Sequence, residues 1–418
     1  MQITKDDIAQ LLDNPELMER TYRQNKSAFR RAFLESYPEF SANPIARGWY
    51  ERLTHSSGNG VAWGTQGEWL RLLLFCVLAG TLAKLPQLFS LNEELFYSRN
   101  SATILFPLLS GYFAWRNGLQ KKKFLALALL FITSAVYINM LPDNQNSDTI
   151  NLACIHLVVL NVLLLSVAFS GRANYDSASR LEFLKYFGDL VVMSTLLSIS
   201  FGLFTAVTLV LFSVIGVPIE EFYIQYVGIY AFASLPFIST HFVRTNPQLV
   251  NKVSPVIARV FTPIVLVMLL IYLSAWIGSG KDPFTDRDFL IVFNVLLLGV
   301  IAIIFFSVVE NTQPAGSRLG IGILLALTIV TILVNGIVLS SIVYRIISFG
   351  ITPNRLAVIG SNVLMLITLF SLTSHLFNAL KHKTPTEGVA KSITAFMPIY
   401  GIWALIVTFL FPVLFGFR

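Results

Sequence analysis

The chain has 418 residues, 55% of them hydrophobic and 13% charged, with a mean hydropathy of +0.69. A soluble fold of this length needs far more charge to cover its surface, so a freely soluble protein is excluded. The net charge is +7, yet residues 1–68 carry 8 Lys/Arg against 9 Asp/Glu; the basic excess lies in the apolar remainder, as in loops on the cytoplasmic side of a membrane, and a nucleic-acid-binding tail is disfavoured.

Residues 1–68 read as a small cytoplasmic helical head and linker, and 69–418 as a helical transmembrane domain. The opening "MQITKDDIAQLLDNPELMER" lacks the apolar core of a cleavable signal peptide, so the first span is expected to act as the insertion signal. Asn14-Pro15 has the form of an N-cap followed by a first-turn proline. Met18, Tyr22, Phe29 and Phe33 then make one amphipathic stripe. Two readings stay open: a cap packed on the membrane domain, or an interfacial helix touching anionic lipid or a protein partner. The segment 54–69, "THSSGNGVAWGTQGEW", reads as a Gly/Ser-rich linker.

About eleven spans follow (10–12), with cores at 69–88, 102–117, 124–141, 150–170, 188–215, 225–243, 256–277, 289–309, 319–341, 357–379 and 392–414. Roughly 20 helical residues cross a hydrocarbon layer of about 30 Å. The fold class is therefore an all-α polytopic membrane protein. The second span is the shortest and contains Pro107. The fifth is too long for one perpendicular crossing, so it tilts or runs past the bilayer surface. Its small residues Ser194, Ser198, Gly202 and Ala206 recur at i+4 and suggest a packing seam.

With the head inside, the inner connections carry 14 Lys/Arg, from Arg116 to Lys391, and the outer ones 6: Arg99, Lys281, Arg287, Arg345, Arg355 and Arg418. That asymmetry predicts a cytoplasmic N-terminus, and an odd span number then puts the C-terminus outside. Glu220 and Glu221 stand at the outer face beside Phe222, Tyr223 and Tyr226, as an aromatic belt or as a cation-attracting mouth. In "YRIISFGITPNR" (344–355), Gly350 is expected to end one helix and Thr352-Pro353 to start the next. Arg345 is favoured by the helix dipole. Arg355, near a helix start, is opposed by it and calls for a partner: a lipid phosphate, Glu220 or Glu221, or a ligand.

Ionisable groups inside a bilayer are expensive and stand as functional candidates. Lys84, late in the first span, is expected to snorkel outward. Asp189 and His241 lie at span ends. His156 and His375 lie deeper, either hydrogen-bonded to a neighbouring helix or serving as proton relays. Asn161 lies within the fourth span, and Asn139, Asn294, Asn335 and Asn362 are placed to bridge helices or to line a polar cavity. No HExxH, GxSxG or P-loop motif occurs, the five histidines never pair at metal-ligand spacing, and Cys76 and Cys154 suggest neither a disulfide nor a metal site. No catalytic residue, cofactor or metal is expected.

"LMERTYRQNKSAFRRAFLESYPEF", "WLRLLLFCVLAGTLAKLP", "LFSVIGVPIEEFYIQY" and "YRIISFGITPNR" together resemble the bacterial family domain of unknown function 4153. The resemblance covers most of the chain and implies a multi-pass protein of the bacterial inner membrane. It implies no activity, substrate or catalytic residue. Three functions stay open: a permease-like transporter of a small solute, a non-transporting scaffold, sensor or assembly partner, and a membrane enzyme acting on lipid-linked substrate. A transporter predicts a polar midplane cavity lined by His156, His375 or the asparagines. A scaffold predicts those groups paired between helices. An enzyme predicts convergent polar groups at one headgroup layer.

Overall fold

The computed structural model describes residues 5–12, 14–24, 26–54, 63–144, 146–171, 174–279, 282, 284, 287–311, 318–382 and 387–417. Arg172, Lys281, Lys383 and Arg418, which enter the charge asymmetry, lie outside the described residues. The chain forms two units, 1–63 and 64–418.

The first unit contains α1 (Lys5–Leu12), α2 (Pro15–Gln24), α3 (Lys26–Phe40) and α4 (Pro44–Thr54). The side chain of Asn14 accepts from the Leu17 amide at 3.1 Å, so the N-cap expected before Pro15 forms. The stripe closes as expected: Met18, Phe29 and Phe33 are buried with Ile8 and Trp49, and Tyr22 packs at the edge. Arg52 stacks 4.5 Å above Trp49 and donates to Glu19 at 2.8 Å. Hydrogen bonds from Arg23 and Arg52 hold the Glu19 carboxyl below its usual range.

The second unit runs through α5 (Gln66–Ala83), α6 (Leu85–Leu88), α7 (Glu93–Arg116), α8 (Lys121–Met140), α9 (Asp148–Ser170), α10 (Ser177–Val214) and α11 (Glu220–Phe222). A π-helical stretch, Tyr223–Gly228, leads into α12 (Ile229–Thr245). After it come α13 (Pro247–Ser279), α14 (Arg287–Asn311), α15 (Arg318–Phe349), α16 (Pro353–His382), α17 (Glu387–Leu405), a second π-helical turn and α18 (Phe411–Leu414). Among the described residues, ten helices are long and apolar enough to cross a membrane, which makes this an all-α, multi-pass membrane fold. The first begins at Gln66, slightly earlier than expected.

The expected second span falls within α7, which is not one of those ten. The reason is its first turns, which add Glu93, Glu94, Arg99 and Asn100 to the apolar core. Its neighbours nonetheless place it alongside the spans. At its start, Tyr97 Oη donates to the Ala83 carbonyl at the end of α5, and Asn100 bonds Asn139 at the end of α8. At its end, Arg71 of the first turns of α5 lies over Trp115, and Asn117 donates to Phe169 at the end of α9. α7 thus runs antiparallel to α5 and α8, parallel to α9, and shares their layer.

The same alternation continues. Asp189 and Ser254 join the starts of α10 and α13, and Arg345 at the end of α15 reaches Phe284 before α14. The bundle therefore has a near end, where α5, α8, α10 and α13 begin, and a far end, where they finish. Apolar burial drives helices together only weakly in lipid, so close packing and interhelical hydrogen bonds hold the bundle, each bond contributing about 0.6 kcal/mol. Such bonds include Ser194–Ser239 (2.9 Å), Thr262–Ser307 (2.5 Å) and Thr368–Tyr400 (3.0 Å).

α10 is one continuous helix of 38 residues, about 57 Å long, so the long fifth span is explained by length. Its small-residue ladder is used only in part. Ser194 contacts α12, whereas Gly202 and Ala206 are exposed and no neighbour lies within 4 Å of where a Gly202 Cβ would be.

Candidate anion-binding site

At the near end the start of α5 meets the last turns of α7 and α12. α5 opens with a capping box: Thr65 Oγ1 accepts from the Glu68 amide (3.3 Å), and Glu68 Oε2 accepts from the Thr65 amide (2.8 Å). That turn fixes the Glu68 carboxylate. Arg71 lies three residues on, hence on the same face, and rests 4.2 Å above the Trp115 ring. Arg116 donates to Tyr112 Oη, one turn earlier in α7, at 2.7 Å. Arg244, in the last turn of α12, lies over Phe169 (5.3 Å) and Phe113 (5.8 Å). Both α7 and α12 end here, and the negative ends of their dipoles favour these cations.

Glu68, Arg71, Tyr112, Trp115, Arg116 and His241 line a cavity of about 150 Å³. His241, 3% exposed, packs against Trp69 at 5.0 Å. The wall beside it is Gly64, whose φ is +83°; a Cβ there would stand 2.8 Å from Glu68 Oε2 and 2.9 Å from His241 Cε1. Glycine is needed both for the left-handed backbone and for the room.

The charge is unbalanced. Two guanidiniums, Arg71 and Arg116, line the cavity with one carboxylate, Glu68; Arg244 stands outside the lining, repelled by Arg116 and attracted by the Glu182 carboxylate. Aromatic faces hold them, which offsets part of the cost of desolvation while leaving the in-plane N–H groups unused. Among the described residues, the one hydrogen bond these three guanidiniums make is Arg116 to Tyr112, and Arg71 Nε is buried without a partner. Free N–H donors in forked geometry suit a carboxylate or phosphate oxyanion.

The residues singled out from the sequence are scattered. Lys84 does not snorkel: it is 5% exposed, donates to the Gln225 carbonyl at 2.6 Å and lies 4.0 Å from the Tyr226 ring. The π-helical stretch after α11 brings that carbonyl within reach. His156 and His375 bond the carbonyls of Leu152 and Ser371 on their own helices, at 2.9 and 2.7 Å, rather than a neighbouring helix. His375 is exposed on the surface of α16 rather than packed against a neighbouring helix. Asp189 is buried and accepts from Ser254 Oγ at 2.5 Å.

Glu220 and Glu221 are exposed, and Glu221 accepts from Gln225 at 3.2 Å. Arg345 donates to the Phe284 carbonyl at 3.1 Å. Arg355 is held by neither Glu220 nor Glu221. It reaches back to the carbonyls of Phe349 (3.1 Å) and Gly350 (2.6 Å), where the end of α15 accepts a cation. The asparagines bridge helices: Asn100 with Asn139, and Asn294 with Asn362, whose carbonyl accepts from Asn335. Asn161 is buried with neither side-chain atom bonded.

Sequence reasoning passed over Arg71, Arg116, Arg244 and Glu310. Arg116 and Arg244 entered as loop charges; Tyr112 and Trp115, at i−4 and i−1 of Arg116, mark a helix end with a ring in reach, whereas the rings under Arg244, Phe113 and Phe169, come from other helices and leave no local signal. Arg99, assigned to an outer connection, lies inside α7 at 6% exposure and donates to Leu141 (3.0 Å) and Pro142 (2.6 Å). No family model, curated protein or solved structure matches the chain.

Proposed function

We propose that the membrane unit captures the phosphate group of an anionic amphiphile at its near end. The observation that carries this reading is the meeting of Arg71 and Arg116 at one small cavity, on or beside aromatic rings and with unused N–H donors. Trp69 and Trp115 are exposed beside it, at the level where aromatic residues anchor helices in the headgroup layer. The captured molecule is carried or held rather than cleaved, because no nucleophile paired with a base lines the cavity.

The scaffold reading has its own support: the asparagines are spent on bridges between helices. The small-solute permease reading asks for a polar midplane cavity. His156, His375 and the asparagines of its list line none of the three cavities described, of which the largest, between α16 and α17, is apolar.

In this reading the near end and the N-terminus face the cytoplasm and the C-terminus lies outside, as the charge asymmetry favours. The bacterial inner membrane and membership of domain of unknown function 4153 rest on the four quoted segments. An anionic lipid or protein partner for the head rests on the basic faces of α2 and α3. Cysteine labelling at Asn354 in intact cells tests the sidedness; labelling only after the membrane is breached would reverse it.

Native mass spectrometry of the full chain, released from nanodiscs of mixed phosphatidylglycerol and phosphatidylcholine, tests the site. The native chain is expected to retain one phosphatidylglycerol. Arg71→Gln and Arg116→Gln are each expected to weaken retention about tenfold, or ~1.4 kcal/mol. Free inorganic phosphate that displaces the lipid would identify the phosphate as the recognised group. Equal retention in native and variant chains would overturn the proposal.

A further inference from the structure

A second polar cluster lies at the near ends of α10, α13 and α14. Gly188 brings α10 close to α14: a Cβ there would stand 2.7 Å from the Phe306 ring. That close approach brings α14 against α10 next to Asp189, and Glu310 lies one turn beyond Phe306, within electrostatic reach of Asp189. Both carboxylates are buried, Asp189 at 5% and Glu310 at 4% exposure. Ser254 of α13, fully buried, donates to Asp189 Oδ1 at 2.5 Å. Glu310 Oε1 is buried with no hydrogen-bond partner.

The electrostatic neighbours are few. Asp189, Glu310 and the half-buried Lys185 interact with one another. Tyr186 turns to α12 and shares a hydrogen bond with Thr240. The α13 face toward the site carries Ser254, Ala258 and Thr262, all buried and none ionisable, while Arg259 is exposed; the Lys252 side chain lies outside the described residues. On α15 and α17, Arg318 and Lys391 are exposed. On α12, His241 lines the near-end pocket, and Arg244 interacts with Arg116, Glu182 and Tyr186. α9 brings His156, which bonds its own helix toward the far end.

Two buried carboxylates against one lysine leave one negative charge without compensation. An uncompensated charge out of water is costly, and two neighbouring buried carboxylates relieve it when one of them holds a proton. The partnerless Glu310 oxygen is where an added hydrogen has a place. We propose that Asp189 and Glu310 form a proton-binding site, taking up and releasing one proton per chain at the junction of α10, α13 and α14. A proton fits better than sodium: the Ser254 hydroxyl already donates to Asp189, so its hydrogen rather than its lone pairs faces the site. The few remaining oxygens fall short of a hard cation's usual set.

Infrared spectroscopy of the full chain in zwitterionic nanodiscs, titrated from about pH 5 to pH 9, tests this. The expected result is one protonated-carboxyl C=O band that disappears as pH rises, is absent from Glu310→Gln, and is unmoved when sodium is exchanged for choline. Potentiometric titration over the same range should release about one proton fewer from Glu310→Gln than from the native chain. Glu310→Asp should keep a band with a shifted midpoint, which separates proton binding from a merely structural carboxylate if the glutamine variant fails to fold. A native chain with no such band would overturn the proposal, as would a band quenched by sodium at fixed pH or one unchanged in Glu310→Gln and Asp189→Asn.

Discussion

The two ends of the bundle handle positive charge differently. At the far end Lys84, Arg99, Arg345 and Arg355 all donate to backbone carbonyls, of Gln225, Leu141 with Pro142, Phe284, and Phe349 with Gly350. At the near end Arg71, Arg116 and Arg244 lie on the rings of Trp115, Tyr112 and Phe169. A carbonyl consumes a cation's donors and, in exchange, satisfies a chain end that lipid cannot solvate. A ring face leaves those donors available. The first arrangement makes cations structural; the second presents them to something else.

The sharpest way to break this contrast is at Arg99. Arg99→Met leaves the buried Leu141 carbonyl and the part-buried Pro142 carbonyl without their donor, and an unsatisfied buried group costs about 1–3 kcal/mol. A stability loss of about 2–4 kcal/mol in denaturant titration is expected, with retention of phosphatidylglycerol unchanged. If Arg99→Met instead lost the lipid at full stability, the far end would be the binding end.

Gly64→Ala acts at the other end and should do the reverse. A side chain at φ +83° costs about 1–2 kcal/mol locally, and its methyl meets Glu68 and His241 at the cavity wall. Retention of phosphatidylglycerol should fall several-fold, while the thermal midpoint moves by only a few degrees. Unchanged retention would mean that the ligand group sits outside the cavity, on the exposed sides of Trp69 and Trp115.

The legible and the hidden parts divide along physical lines. Hydropathy marks spans because a bilayer demands apolar length, so ten helices follow from it. It underrates α7, whose Arg99 and Asn100 are neutralised by partners on α8 and its exit loop, 39–43 residues away. Charge counting finds loops but does not distinguish a solvated arginine from one on a ring. Arg116 looked like a loop residue because Trp115, which receives Arg71, is brought to α5 only by the antiparallel pairing of α5 and α7. Glu310 is hidden for a similar reason: its partners are set by Gly188 meeting Phe306 across helices.

"YRIISFGITPNR" shows both sides of that division at one corner. Gly350 has φ +80°, and Thr352 Oγ1 accepts from the Arg355 amide at 3.3 Å, so the helix end and the next N-cap are where glycine and threonine place them. Arg355 was the anomaly, a cation in the first turn of a helix. Its guanidinium leaves that turn and donates to the last carbonyls of α15, converting an unfavourable dipole into a favourable one across the corner. Arg355→Ala removes donors from two exposed carbonyls that solvent or headgroups can reach. The expected cost is therefore small, about 0.5–1.5 kcal/mol. Hydrogen exchange should quicken over 346–356 and nowhere else. Arg355→Glu should cost more than alanine, since it turns the carboxylate toward carbonyl oxygens. If glutamate and alanine behave alike, the carbonyl contacts are not what holds the corner.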